Sequence, residues 1–375
     1  MLDAQRRTCP VVREADGSVT LLAHADVRAA ALDAETFSSA VSAHRALPNS
    51  LDGAEHRAYR RLIDAYLTDQ EVAAQEPQCR EHAAAIVGGL PRGVTIRTVL
   101  DIGTPYAVRA QSTWLGWPTA IEQELVDWVA DNREATRSGE RARMAQVAED
   151  FDAIISRLLE ARRDGSVDDV TSRLMDDRAD GHPLQHAEIV SILRNWTAGD
   201  LSSLAACVGV IVHHLATDVA LQGHLRRLVA GDRVRDFEDA VEEILRIDDP
   251  FVSNRRVTTC DVVVGGEEIA AGTRVVLNWT AANRDPEAFP EPDAFNPVDH
   301  AVANLVFGIG PHVCPGRALT LMELRVIVWE LLAQTTRIAI SHERRPVREL
   351  APVSGWAKVP IVLDPTPSAG RDGRM

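Results

Sequence analysis

Apolar residues recur at three-to-four spacing over Ala54 to Leu67, Ile121 to Ala135, Arg141 to Arg163 and Phe237 to Arg246. That spacing predicts amphipathic helices. The longest such stretch, Ala187 to Leu215, is apolar on most sides. At 1.5 Å per residue it would span about 45 Å and cross the centre of the molecule. Gly199 and the Ser202-Ser203 pair sit in its middle. These are poor helix formers and predict a local distortion. Two regions read as strand instead. Val11 to Leu22 holds two short runs around Asp16-Gly17, a hairpin signal. Asp261 to Asn278 repeats the pattern around Gly265-Gly266 and Ala271-Gly272.

Between Thr280 and Gly316 both periodicities vanish, and six prolines punctuate the run: Pro286, Pro290, Pro292, Pro297, Pro311 and Pro315. Irregular stretches of this length inside a compact protein are uncommon and usually functional. An amphipathic run then resumes to about Gln334. We find no internal repeat and no linker, which favours one domain over residues 1–365. Residues 366–375 (TPSAGRDGRM after Pro365) have the composition of a disordered tail. The predicted fold class is mainly α with small β-sheets.

Composition narrows the chemistry. The formal charge of -15 disfavours nucleic acid. The longest apolar run, Leu204 to Val212, is about half of what a bilayer requires. The segment Met1 to Pro10 carries Asp3, Arg6 and Arg7 and no apolar core, unlike a signal peptide. A cytoplasmic protein without a membrane partner is expected. The five cysteines, Cys9, Cys79, Cys207, Cys260 and Cys314, form no CxxC pair. Neither a disulfide framework nor a zinc ribbon is supported.

One cysteine differs from the rest. Cys314 lies in FGIGPHVCPGRA, Phe307 to Ala318, with Gly308, Gly310 and Gly316 around it. It stands just before a helix, where backbone N–H groups favour a thiolate. A thiolate on a glycine-rich loop suits an axial ligand to a flat metallocofactor.

The segment FGIGPHVCPG resembles the haem-binding loop of the cytochrome P-450 family, FxxGxxxCxG, at Phe307, Gly310, Cys314 and Gly316. Glu243 to Arg246 resembles the family's ExxR pair. Residues His56 to Arg60 resemble the helix whose His and Arg bind haem propionates. Arg256 matches the strand arginine with the same role, and Asn283 to Pro286 with Phe289 and Phe295 resembles the meander. The resemblance covers nearly the whole chain and implies a bacterial haem-thiolate monooxygenase with haem b. Cys314 would hold the iron. His56, Arg60, Arg256 and His312 would neutralise the haem carboxylates, and Glu243 and Arg246 would brace the loop.

Three departures stand out. Asp299-His300 replaces an arginine that normally completes the ExxR network, and Asn304-Leu305-Val306 replaces a histidine before the cysteine loop. On the distal helix the family has AGx(D/E)T. Here Ala198-Gly199-Asp200-Leu201-Ser202 puts Ser202 at the alcohol position and Leu201 at the acid position. At ~100° per residue, Asp200 lies on nearly the opposite face from Ser202. Gly199, Asp200 and Ser202 are the candidate catalytic positions.

Arg194, Ala198 and Ser202 share one helical stripe, which the resemblance turns towards the substrate. Arg194 is therefore a candidate partner for a substrate carboxylate. Asn195, Thr197, Phe251, Val252 and Trp356 are further candidates for the cavity wall. The implied reaction inserts one atom of O2 into a small organic substrate, in secondary metabolism or catabolism. Electrons would come from a separate ferredoxin or flavodoxin and its reductase. Arg57, Arg61, Arg80 and Arg317 are candidates for that docking face. Alternatives are a peroxygenase, oxidative coupling, cyclisation or dealkylation, and a non-catalytic haem sensor.

Overall fold

Apolar periodicity sets the helices that carry the site. A computed structural model describes residues 2–42, 45–165, 167–350 and 354–365. The expected tail, 366–375, lies outside the described residues. The site is built on α1 (Gly53–Asp64), α2 (Asp69–Gly89), α3 (Thr104–Leu115), α4 (Arg141–Glu160), α5 (His186–Thr217), α6 (Val234–Ile247) and α7 (Arg317–Ala333). Helix α5 starts at a capping box, in which the Gln185 side chain and Glu188 each satisfy the other's backbone N–H. It runs unbroken to Thr217, so the distortion expected at Gly199 and Ser202-Ser203 is absent. Packing on several sides overrides the weak propensity of those residues. Leu201, Leu204, Val208 and Ile211 are fully buried. Among the described residues α5 is the only helix long and apolar enough to cross a membrane, and over half of that window is buried within the fold.

Strands form the flanking walls. They are β1 (Val11–Arg13), β2 (Val19–Leu21), β3 (Phe37–Ser38), β4 (Thr95–Arg97), β5 (Ser253–Thr258), β6 (Arg274–Asn278), β7 (Thr335–Ile340), β8 (Val347–Arg348), β9 (Trp356–Lys358) and β10 (Pro360–Pro365). The larger sheet has the order β1-β2-β6-β5-β3. The hairpin predicted at Asp16-Gly17 is present, with Val11 opposite Leu21. Its second strand pairs in parallel with β6, and β6 pairs antiparallel with β5, Val275 opposite Arg256. A smaller sheet, β7-β10-β4, and the hairpin β8-β9 close the other side. From Thr280 to Gly316 the chain is irregular apart from short turns, as its prolines predict.

Helices α2 and α7 pack beneath α3 and α5, locked by ions as well as apolar contacts. Arg325 on α7 donates to both oxygens of Glu76 on α2, at 2.9 and 2.7 Å, and to Glu238 at 2.7 Å. These bonds, with Arg80, hold the Glu76 carboxyl down to about 2 against an ordinary value of 4.5. A lowered folded-state value stabilises the fold above the ordinary value and is lost as pH falls through the folded one. Denaturant unfolding between pH 6 and pH 2.5 should therefore show stability falling from about pH 4.5 downwards. Glu76→Gln should flatten part of that slope and lower stability near neutrality by about 1–3 kcal/mol.

Candidate functional site

The cysteine loop is held by a buried arginine. Arg246 and Glu243 meet on α6 through two bonds of 2.8 and 2.9 Å, with side chains 0% and 2% exposed. A guanidinium has five N–H donors and stays charged in the interior, so the remaining donors also need acceptors. They reach the carbonyls of Asn283 at 2.8 Å, Pro292 at 3.0 Å and Ala294 at 3.2 Å, all in the irregular segment. Glu243 accepts in turn from the Asn296 N–H at 3.0 Å and lies 2.7 Å from His300 Nδ1. Burial alone would raise the Glu243 carboxyl, but Arg246, Asn296 and His300 bring it below its ordinary value. His300 thus fills the place of the missing arginine, whereas Asp299 only meets Asn296.

The order continues to the sulfur. Asn283 Oδ1 accepts from the Leu305 N–H at 2.8 Å, and the Cys314 N–H donates to the Phe307 carbonyl at 2.8 Å. Gly310 has φ +80°, and a Cβ there would lie 2.8 Å from the Ala31 carbonyl oxygen, so no larger residue fits. A Cβ on Gly316 would lie 3.9 Å from Cys314 Sγ. Asn304, at the missing histidine's position, caps the Val306 N–H at 2.9 Å.

Cys314 opens onto a cavity of about 570 Å³. Phe307, Gly308, Gly316 and Leu319 wall its loop side, Arg256 and His312 one edge, and α5 its roof. A larger open groove of about 870 Å³ over the β7-β10-β4 sheet contains none of the candidate residues.

The roof differs from expectation by one helical position. Asn195, Trp196, Gly199, Asp200, Ser203 and Cys207 line the cavity. Arg194 instead turns outward and pairs with Asp152 of α4 at 2.9 Å, so it does not face the substrate space. Ser202 also lies off the cavity lining, with its Oγ buried and without a hydrogen-bond partner among the described residues. Ser203 takes the lining position, and its hydroxyl donates to the Gly199 carbonyl. Thr197 is fully buried and donates to the Leu193 carbonyl at 2.7 Å, away from the cavity. The side chain of Ala198 lies outside the described residues. The rotation has a cause: it lets Arg194 reach a carboxylate, Asn195 reach the Leu47 carbonyl, and Trp196 pack at a tilt against Tyr66 and Trp114, ring centroids 5.3 and 5.1 Å away. Leu201, at the usual acid position, is fully buried.

Other expectations divide similarly. Phe251 and Val252 line the cavity, joined by Pro48 and Asn49 from the loop before α1. Trp356 does not: it stacks on His213 at 3.7 Å and donates to Asp248 at 2.9 Å. Arg60 points at the cysteine loop, donating to the Pro311 and Val313 carbonyls at 3.1 and 2.7 Å, and does not line the cavity. His56 is buried behind His312, ring centroids 4.2 Å apart.

Do these residues fit a haem? Arg256 is 6% exposed, borders the cavity and has no ion pair among the described residues. Among the described residues its side chain makes one hydrogen bond, to the Arg255 carbonyl at 2.8 Å. Such a buried guanidinium suits a carboxylate. His312 meets Ser39 Oγ at 3.0 Å and Asp52 at 3.2 Å, and burial, with His56 and Arg256, pushes it down to about 4. The Cys314 thiol is pushed up to about 11 by burial and the Asp200 charge, against the pull of the Gly316 N–H, Arg60 and Arg317. The helix start therefore does not make a thiolate alone; a metal must displace the proton. The residues fit haem with Cys314 as ligand and Arg256 and His312 at the carboxylate edge.

Comparison with known proteins agrees. The cytochrome P450 family profile matches residues 237–358. The cyclomarin C epoxidase CymV of Salinispora arenicola is 30% identical, covering 88% of this chain and 87% of its own. The chain belongs to the cytochrome P450 family. The erythromycin C-12 hydroxylase of Saccharopolyspora erythraea is 27% identical across 98% of this P450 and 94% of its own length. A solved structure of a P450 EryK mutant in complex with erythromycin B superposes with a TM-score of 0.88 at 26% identity, covering 98% and 96% of the two chains. This P450 is accordingly a haem-thiolate monooxygenase with haem b.

The substituted brace gives a direct test. His300→Ala leaves a buried Glu243 oxygen short of a donor and should cost about 1–3 kcal/mol. The ferrous–carbon monoxide spectrum should lose part of its red-shifted thiolate band on mild heating. His300→Asn, whose amide can donate near the Nδ1 position, should recover most of it.

Proposed function

We propose that this P450, acting as one domain over residues 1–365 in the bacterial cytoplasm, hydroxylates or epoxidises a small organic molecule, a largely apolar natural product. The observation that carries this is the cavity wall. Trp114, Trp196, Phe251, Val252 and Leu245 surround the space beside Cys314, and Arg194, the one cation expected there, is bound to Asp152. A neutral substrate fits that wall better than a carboxylate. The related epoxidase and hydroxylase are named for cyclomarin C and erythromycin, which supports a secondary-metabolite substrate.

Bound haem supplies oxygen activation, and the chain supplies position and proton access. Cys314 holds the iron, and Arg256 and His312 fix the carboxylate edge. Asn195, tied to the Leu47 carbonyl, presents one polar group to a substrate hydroxyl or amide. Ser203 places the alcohol of the distal helix on the cavity wall. Gly199 leaves room above it, since a Cβ there would meet nothing within 4 Å.

Electrons come from a separate ferredoxin or flavodoxin with its reductase. Of the four candidate docking arginines, Arg80 is held by Glu76 and Glu330, and Arg317 by Glu242. Arg57 and Arg61 on α1 are exposed. They form the local basic face that an acidic donor needs on a chain of charge -15.

A ligand screen by low-to-high-spin shift tests the substrate class. Macrocyclic peptides and macrolides should shift the spectrum, and carboxylic acids should shift it no better than their methyl esters. A strict preference for free acids would overturn the neutral-substrate assignment. Arg194→Leu should lower stability by about 1 kcal/mol at most, without changing which ligands bind. Cys314→Ser should abolish the red-shifted carbon monoxide band.

A further inference from the structure

A cluster of metal-binding side chains lies outside the cavity, where three elements converge. His213 and His214 stand near the C-terminus of α5, and Asp248 directly follows α6. Each offers one ligand atom, and these atoms all lie within 4.8 Å of one another. His214 Nε2 and Asp248 Oδ2 are 3.5 Å apart. Two donors on one tetrahedral zinc ion, each about 2.0–2.1 Å from the metal, sit roughly 3.3 Å apart. The pair is thus spaced to share a metal and is long for a direct hydrogen bond.

His213 supplies a second observation. Its Nδ1 is buried and has no hydrogen-bond partner among the described residues. A buried ring nitrogen left in that state is costly. The ring is held against the cluster by Trp356 of β9, on which it stacks with centroids 3.7 Å apart and 22° between the planes.

The carboxylate is oriented from outside. Arg348 of β8 donates to Asp248 Oδ1, and Trp356 Nε1 donates to Oδ2 at 2.9 Å. Each carboxylate oxygen has two lone pairs, so Oδ2 keeps one for a metal. Outer hydrogen bonds of this kind fix the orientation of metal ligands. The Arg348 charge lowers the affinity of the site, but the side chain is 55% exposed and solvent screens it. Asp249 takes no part: it faces the Phe251 N–H at 2.7 Å and Asn283 at 3.4 Å. The His214 side chain is 25% exposed, which gives an ion its entry from solvent.

We propose that His213, His214 and Asp248 bind a divalent cation of the zinc class, with water completing the shell. Two imidazoles and one carboxylate are donors that this class accepts. None of the three lines the cavity, so the site is separate from that of the haem and does not depend on the substrate reading. Its place in the fold still links it to the cavity. The ion would tie the end of α5 to the end of α6 and, through Trp356 and Arg348, to the β8-β9 hairpin. Pro250, two residues beyond Asp248, lines the cavity. Gly355, beside Trp356, is packed so closely that a Cβ there would lie 3.3 Å from Pro250 and 3.4 Å from Val210 of α5. Binding at this junction stabilises the folded chain and steadies that stretch of the cavity wall.

Zinc binding to the haem-loaded protein tests the site. After treatment with a chelator and its removal, calorimetric titration with zinc chloride should give one site per chain. X-ray absorption at the zinc edge should show imidazole nitrogen and oxygen and no sulfur, which excludes the exposed Cys9 and Cys260. Zinc should also raise the thermal midpoint. His213→Ala and His214→Ala should each weaken binding roughly tenfold or more and largely remove that rise. Both variants should keep the ferrous–carbon monoxide band, since neither position lines the haem cavity. No zinc site in the wild type, sulfur in the shell, or native affinity in either variant would overturn the proposal. Should a variant lose the carbon monoxide band, the wild-type shell and the other variant decide.

Discussion

Full burial of Arg246 is the constraint from which the proximal side follows. A guanidinium cannot shed its charge in a protein, so every donor must find an acceptor. Glu243 takes two, and the carbonyls of Asn283, Pro292 and Ala294 take the others. Those carbonyls belong to a stretch with no ladder of its own, so Arg246 stands in for secondary structure there. The Phe289 ring, 4.6 Å from the guanidinium carbon, closes the same shell. Asn283 then passes the order to Leu305, and Phe307 passes it to the Cys314 N–H. Removing one acceptor leaves a buried donor unpaired, and the Glu243 oxygen in turn needs His300 Nδ1, 2.7 Å away, as its own donor.

Local patterns carried most of the fold and half of the site. Amphipathic spacing marked α1, α4, α6 and the helix after Cys314, and the prolines marked the irregular segment. Helix α2 escaped because Pro77 lies inside it and its apolar residues are scattered around the axis. Helix α3 escaped for the opposite reason: Tyr106, Ala107, Val108 and Ala110 are all buried, so no polar face sets a period. The loop around Cys314 was legible because it combines four fixed residues with glycines that have a backbone reason to be there.

The distal helix was legible as a helix but not in its rotation. Adjacent positions differ by ~100°, and Ser202 and Ser203 offer the same hydroxyl, so composition cannot choose between them. The choice is made by partners remote in sequence: Asp152 for Arg194 and Leu47 for Asn195. The same rotation brings Asp200 to the cavity. The sequence-based placement of Asp200 and Ser202 on different faces was sound, and only the identity of the cavity-facing side was reversed.

The electrostatics of the pocket explain why the cofactor and the fold belong together. Arg256 is a buried cation without an ion pair among the described residues, and burial lowers its affinity for its own proton. His312 is driven down beside it, and the Cys314 thiol is driven up. Arg256 keeps its charge without a paired carboxylate, whereas burial favours the neutral forms of His312 and Cys314. A carboxylate-bearing ligand would pair Arg256, whereas a metal would have to displace the Cys314 proton, so one group favours binding and the other costs it. Whatever binds the folded chain and not the unfolded one stabilises it. The desolvated guanidinium of the bare pocket therefore becomes binding energy for an anionic ligand. It also makes the site selective, because a ligand with only the metal leaves the Arg256 charge unpaired.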